Sequence, residues 1–550
     1  MDSSFPYHLF GQEDCPCCLS PVKRESNSRE YSSSAATFQT LANYLSQGYW
    51  SDNNASAREY NLGNSGTNYK NGQITYSLGK NLFDSNGLTS GSAELFRESF
   101  KLYEETLGID FYEYTSYNPN AVIDITDNSS GANAGSYSIS EGKTSWSKIN
   151  VSASWTNYYG TSLGTYSLQT IHHEIGHALG LGHQGDYNGS ATYGVDETYS
   201  NDSWQGSIMS YFSQSENTTI DASVVYLMTP SASDWIALDD IYSDYSGFGV
   251  SEAFNGDTIY GFNTNIDATT SKIWNQFSEK ISTNAYCIVD GSGNDTLDLR
   301  DFDDNQTIDL RPTDKSSHAL YVSDVAGLKG NLHIASDTFI ENLISGSGDD
   351  TLRGNSRNNI INGGLGDDTL TFSGNLNSYT LSYLAADSIL SVAHSLGNNG
   401  DGTDTLTNVE TLDFTDQDLS ISSAISKSLT TIENSGDKIL ARSSDSYAYI
   451  KLSENALASE IYNSSGNHAS IGSVFEMKHI ESISGKNTIL LQNSSGKLHK
   501  WFLNSDYRQI GSGGFYTTND SEYYTIETQF DEDLNNDGIT GMTYSFAELS

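Results

Sequence analysis

Four cysteines, six prolines and 27 basic residues are little for a chain of 550 residues. Three of the cysteines, Cys15, Cys17 and Cys18, crowd into one short stretch and Cys287 stands alone, which excludes a disulfide framework. A protein of this size does without bridges when metal ions staple its loops. No segment approaches the roughly 20 apolar residues of a membrane helix, so membrane insertion is not expected. Met1 to Ser20 lacks the apolar core of a classical amino-terminal signal. Against the 27 Lys and Arg stand 70 Asp and Glu, a net charge of -43. Such a surface repels phosphate backbones and anionic membranes, so nucleic-acid binding is excluded.

What is abundant points the other way. Forty-nine glycines suit many turns with positive φ, and the carboxylate excess calls for bound cations. Together these favour calcium. The length predicts several domains. Residues 1–35 are polar and Ser-rich and read as a leader or pro-segment. Residues 36–245 alternate helical and strand patterns, including an apolar face from Leu95, Phe96, Phe100, Leu102 and Tyr103. That mixture predicts an α+β domain. From 246 to 424 Gly, Asp, Asn and Thr dominate, and 425–550 predicts a small β-rich region.

The segment HHEIGHALGLGH runs from His172 to His183. On a helix, His173 and His177 are four residues apart and share a face, supplying two nitrogen ligands for tetrahedral zinc. Glu174 lies beside the first ligand, in reach of water on the metal. Gly180 ends the helix in a conformation that suits glycine, and the reversed chain returns His183 as a third ligand. His172 points about 100° away from His173 and is structural or exposed.

Downstream runs Ser207-Ile208-Met209-Ser210-Tyr211-Phe212. With His173-Glu174-x-x-His177-x-x-Gly180-x-x-His183, it resembles the metzincin metalloproteases, and among them the serralysins. The resemblance implies that Met209 forms the turn beneath the zinc and that Tyr211 is a further zinc ligand. It also implies that Tyr211 leaves the metal to meet the oxyanion during catalysis. Gly185-Asp186-Tyr187-Asn188 is similar as well, but Gln184 replaces the proline usual after the third histidine. The implied activity is a zinc endopeptidase with Glu174 as general base.

Three nine-residue units follow at 345–353, 354–362 and 363–371, with a related unit at 290–298. They match the GGxGxDxUx pattern of a parallel β-roll. Leu297, Leu352, Ile361 and Leu370 take the inward apolar position. Asp295, Asp350 and Asp368 take the carboxylate position; with Asp290, Gly348 and Gly366 they are the candidate calcium ligands. Asn359 breaks the pattern in the middle unit and predicts a weaker site. In the tail, Asp533, Asn535 and Asp537 form half of an EF-hand loop, with Tyr544 where its final Glu would stand.

The sequence thus predicts a secreted, extracellular, monomeric zinc and calcium protease acting on proteins or peptides. The repeats imply export by a type I secretion apparatus, without a classical amino-terminal signal. A calcium-dependent adhesin or surface-layer component with an inactive metzincin-like domain is the alternative. Cys15, Cys17 and Cys18 are candidate inhibitory thiols if the leader is a zymogen segment.

Overall fold

The computed structural model describes residues 34–63, 72–81, 83–116, 118–137, 141–434, 436–472 and 474–542. Cys15, Cys17, Cys18 and Tyr544 lie outside the described residues. The chain divides into two compact units. One comprises residues up to 359 together with 363–368. The other comprises 360–362 and 369 onward.

The first unit opens with helix α1 (Phe38–Asn43), whose Thr37 cap accepts from the Thr40 amide. A five-stranded sheet follows. Strands β1 (Gln73–Ser77), β2 (Asp110–Tyr114), β3 (Ile123–Thr126), β4 (Ala132–Tyr137) and β5 (Trp146–Val151) lie in the order β2-β1-β3-β5-β4. All neighbours are parallel except β4 and β5. Every residue of β1 is buried, so its β-branched and aromatic side chains fill both faces of the sheet.

Helix α2 (Ser90–Leu107) starts at Thr89, whose hydroxyl accepts from the Ser92 amide, and ends at left-handed Gly108. It buries the predicted apolar residues, with Leu95, Phe96, Phe100, Leu102 and Tyr103 each at most 2% exposed. Burying one such side chain is worth about 1.5–3 kcal/mol. Neither α3 (Ala153–Tyr159) nor the helix at Ala232–Tyr242 follows from the apolar pattern of the sequence. The zinc-motif helix, α4, spans Tyr166–Leu179 and packs on β4 and β5. A hydrogen bond from Tyr103 Oη to the His172 carbonyl (3.0 Å) ties α2 to α4.

After α4 come β6 (Tyr226–Leu227) and α5 (Ala232–Tyr242), then β7 (Ile259–Gly261) and β8 (Asn284–Ile288). Short strands β9 (Thr296–Asp298), β10 (Thr307–Asp309), β11 (Leu332–Ile334), β12 (Asn342–Ile344) and β13 (Thr351–Arg353) complete this unit. β8 lies between β6 and β11, parallel to both, and joins the zinc region to the Gly- and Asp-rich region in one sheet. Cys287, on β8, is buried and forms no disulfide. The repeat strands pair in parallel at matching positions: Leu297 with Leu343 and Ile308 with Leu352. All four are buried.

The second unit continues that pattern. β14 (Ile360–Asn362) and β15 (Thr369–Thr371) pair in parallel with β18 (Thr403–Thr407) and β19 (Thr411–Phe414). The intervening β16 (Tyr379–Leu384) and β17 (Ile389–His394) form an antiparallel hairpin. Beyond helix α6 (Ile421–Ser428), the tail forms two four-stranded sheets between Thr430 and Tyr516. A helix, α7 (Ser521–Phe530), follows. Adjacent Ile489 and Leu490 belong to separate clusters, one with Leu440 and Ile450, the other with Tyr523 and Ile526 of α7. Strand alternation explains this: neighbours point to opposite faces. Val474 is exposed and takes no part in either cluster.

Candidate metal centre

Helix α4 is buried over nearly its whole length, and the histidine register follows from its 3.6-residue turn. His173 and His177 stack one turn apart, with ring centroids at 4.7 Å. Gly180 then stops the helix at φ 122°. A Cβ there would stand 2.2 Å from the Arg58 carbonyl oxygen, so neither the conformation nor the space admits a side chain. The reversal brings His183 back against His177, with Nε2 to Nε2 at 3.1 Å.

Each ring is aimed by a backbone carbonyl. Nδ1 of His173 meets Ile208 O at 2.9 Å, Nδ1 of His177 meets Leu181 O at 2.8 Å, and Nδ1 of His183 meets Tyr187 O at 2.9 Å. A carbonyl can only accept, so every Nδ1 carries the proton and every Nε2 keeps its lone pair. Potential ligand atoms of the three histidines lie within 4.8 Å of one another. Burial holds the His173 imidazolium down to about 4 and holds His177 and His183 well below the ordinary histidine value, with repulsion between the rings adding to it for those two. Neutral imidazoles are the ligand form. The buried Nε2 of His173 has no protein partner, a cost that a metal ion removes. The donor set fits zinc.

Glu174 is fully buried on the same helix. Tyr211 is half-buried, its ring 4.5 Å from that of His183 and 6.3 Å from that of His173. Its Oη accepts from the Gly189 amide at 3.3 Å. Met209 is buried below the helix, and a Cβ on Gly176 would come within 2.8 Å of its sulfur. His172 is also buried, its ring edge-on to Tyr103. It is therefore a packing residue outside the triad.

The sequence reading missed the residues that hold this turn. Asp234, buried on α5, accepts from the Ser207 hydroxyl (2.6 Å) and from the Ile208 and Ser231 amides (2.7 and 2.8 Å). Burial raises its carboxyl to about 6, against the pull of those donors. A Ser followed three residues later by an acidic residue is a helix-start pattern and was legible in Ser231 and Asp234.

Among the described residues no three carboxylates converge as the histidines do, and the Asp-rich turns hold their side chains singly or in pairs. Asp295 accepts from the Thr258 amide at 2.7 Å, and Asp290 accepts from Tyr260 Oη at 2.8 Å. Burial raises both carboxyls, and neighbouring negative charge, from Asp295 on Asp290 and from Glu341 on Asp295, raises them further. Asp350 accepts from the Gln306 amide, and Asp368 from the Asp350 amide. Gly366 turns at φ 118° with Gly348 O beneath it, 2.3 Å from where a Cβ would sit. Asn359 uses its side chain locally, accepting from the Asn355 amide and donating to Ile340 O. In the tail, Asp533 accepts from the Asp537 and Gly538 amides, and Asn535 accepts from the Asp537 amide. Glu527, from α7, closes the loop by accepting from the Leu534 and Gly541 amides.

Comparison with known families agrees with this geometry. Residues 68–202 match the matrixin family, and 251–456 match the Peptidase M10 serralysin C-terminal family. Residues 437–541 match a Tryptophan-rich Synechocystis species C-terminal domain, although Trp501 is the sole tryptophan there. The chain is 38% identical over 224 residues to metalloprotease AprA of Pseudomonas entomophila, covering 40% of this chain and 42% of that protein. It is 41% identical over 217 residues to serralysin C of Dickeya chrysanthemi, covering 38% and 40%. Serralysin of Photorhabdus luminescens is 39% identical over 201 residues, covering 36% and 38%. The chain thus spans about two fifths of the length of the curated relatives it matches. Two successive family matches and a buried histidine triad lead to one statement of likeness: residues 68–456 are similar to the serralysin-type metzincin metalloproteases.

Proposed function

We propose that the protein is a secreted, calcium-stabilised zinc endopeptidase acting on extracellular proteins. The observation that carries this reading is the set of three buried imidazoles, each with Nδ1 on a backbone carbonyl and Nε2 turned to a common point. His173, His177 and His183 would hold the zinc, with Tyr211 beside them as a fourth protein ligand. Bound zinc supplies Lewis acidity toward a peptide carbonyl and acidifies water to near neutrality.

The protein's own groups do the rest. Glu174 accepts the proton of the attacking water and passes it to the departing amine. Tyr211 donates its phenolic hydrogen bond to the tetrahedral oxyanion, an interaction made in the transition state alone. Met209, held through Ser207, Ile208 and Asp234, supports the triad from below.

Asp290, Asp295, Asp350 and Asp368, with the carbonyls of turns such as those at Gly348 and Gly366, would take calcium between successive turns of a parallel β-roll. The parallel pairings at matching apolar positions support that reading. Asp533, Asn535 and Asp537 would hold a further ion in the tail. Among the described residues no helix is long and apolar enough to cross a membrane. Type I export and a monomeric state complete the proposal, as does a leader (1–35) released before activity.

The decisive variant is Glu174→Gln, nearly isosteric and unable to accept a proton. It should retain one zinc per chain and lose about 100- to 10,000-fold in casein hydrolysis. Turnover near the parent's by the zinc-loaded variant would remove Glu174 as the base.

A further inference from the structure

The loop carrying His183 and the turn carrying Met209 and Tyr211 are separate stretches of chain, and one buried side chain joins them. Tyr187 holds the His183 imidazole through its own carbonyl, at 2.9 Å. Its ring lies against the same imidazole (centroids 5.8 Å, 28° between planes) and against Tyr211 (4.7 Å) and Phe212 (5.3 Å). Its phenol oxygen accepts from the Tyr211 amide at 3.3 Å and donates to Asp202 Oδ2 at 2.9 Å.

Asp202 and Tyr187 are buried, and Asp202 is anchored in turn. Its backbone carbonyl accepts from Asn217 Nδ2 at 2.8 Å, and its amide donates to the Tyr199 carbonyl at 3.1 Å. A phenol has one proton, and Asp202 takes it. The oxygen's lone pairs therefore face the Tyr211 amide, which fixes the backbone from which Tyr211 swings.

We propose that Asp202 and Tyr187 are a positioning pair that sets the third histidine and Tyr211 in one geometry. Neither touches the reacting atoms. The pair deepens the protease reading, because its effect on rate presupposes that Tyr211 serves the transition state. Its effect on geometry stands apart from catalysis. The pair makes the Met-turn and the His183 loop one rigid body. Loss of the phenol should loosen Tyr211 while the carbonyl of residue 187 still holds His183.

The experiment uses calcium-loaded full-length protein with Tyr187→Phe, Asp202→Ala and Asp202→Asn. Each is measured for kcat, KM, zinc content and melting temperature. Each is also loaded with copper(II) in place of zinc, so that the tyrosinate-to-copper absorption band reports Tyr211. Tyr187→Phe should lower kcat about tenfold at a KM within about twofold, keep one zinc per chain, and weaken or shift the band. Asp202→Ala should follow it, whereas Asp202→Asn, which still offers an oxygen to the phenol, should stay within about threefold of the parent.

An unmoved band with parental kcat in Tyr187→Phe would overturn the proposal. So would loss of zinc and melting temperature in step with activity, which is the mark of a merely structural role. A zinc-loaded parent without proteolytic activity would refute the protease reading instead, and the copper band would still decide the pair. If Asp202→Ala fails to fold, Tyr187→Phe, which removes one oxygen, carries the test.

Discussion

The histidine triad and the Asp-rich turns sit in the same compact unit and meet their proposed metals by opposite routes. The triad consists of groups that are neutral when buried. Burial lowers the imidazolium and so favours the ligand form. Three carbonyls can therefore aim the rings before any ion arrives. The turns consist of groups that are charged when they bind. Burial and neighbouring negative charge raise Asp290 and Asp295, so the ligand form is the disfavoured one until a cation compensates it. A zinc site of this kind is built by the fold, whereas a calcium site of this kind builds the fold.

Withdrawal of each ion separately tests the contrast most severely. Chelating calcium should remove much of the β signal in circular dichroism from the 251–456 segment, because binding free energy there is folding free energy. Removing zinc alone should leave that spectrum in place. Equal spectral loss on removal of either metal would break the comparison.

The pH dependence sharpens it. Asp290 and Asp295 have folded-state values above their unfolded ones, so without calcium the folded state binds more protons than the unfolded. Stability of the calcium-free protein should then fall as pH rises from about 4 toward neutrality. With calcium holding the carboxylates ionised, that fall should vanish. Chelated protein that melts higher at pH 7.5 than at pH 5 would contradict the assignment.

A smaller effect is expected at the helix stop. Gly180→Ala places a Cβ against Arg58 O at a positive φ, at a cost of about 1–3 kcal/mol. Because the strain falls on the chain leading to His183, zinc affinity should drop about tenfold or more while the calcium-dependent spectrum stays unchanged. An unaltered zinc dissociation constant would remove Gly180 from the site's design.

Smallest of all on catalysis should be Ile489→Ala in the tail. The cavity should cost about 2–5 kcal/mol locally and lower the melting of that region. kcat/KM should remain within about twofold, because Ile489 packs with Leu440, Ile450 and Ile461 in a cluster of its own. A large loss of activity would tie the tail to the active site.

The sequence made the zinc helix legible because ligand spacing on a helix is a local property. His173, His177, Gly180 and His183 fall within eleven residues, and the structure brings the three histidines together. The inward Leu297, Leu352, Ile361 and Leu370 were legible for the same reason, since a nine-residue period is local. What escaped was non-local or weakly patterned. α3 (ASWTNYY) shows little apolar periodicity, and β4 (ANAGSY) has no large apolar residue before Tyr137. Asp234, Asp202 and Tyr187 act across 26, 15 and 24 residues of chain, a separation that periodicity cannot register. The two-sheet tail stayed vague because strands buried on both faces, such as Lys486–Gln492, lack the alternation that distinguishes a half-buried strand.

The most direct measurement is a zinc titration of calcium-loaded, zinc-depleted protein against a casein or peptide substrate. Activity should be absent at the start, rise in proportion to added zinc, and level off at one equivalent per chain, with His177→Ala inactive throughout. Hydrolysis that persists in the zinc-depleted protein, or that fails to appear at one equivalent, would contradict a metalloprotease built on His173, His177 and His183.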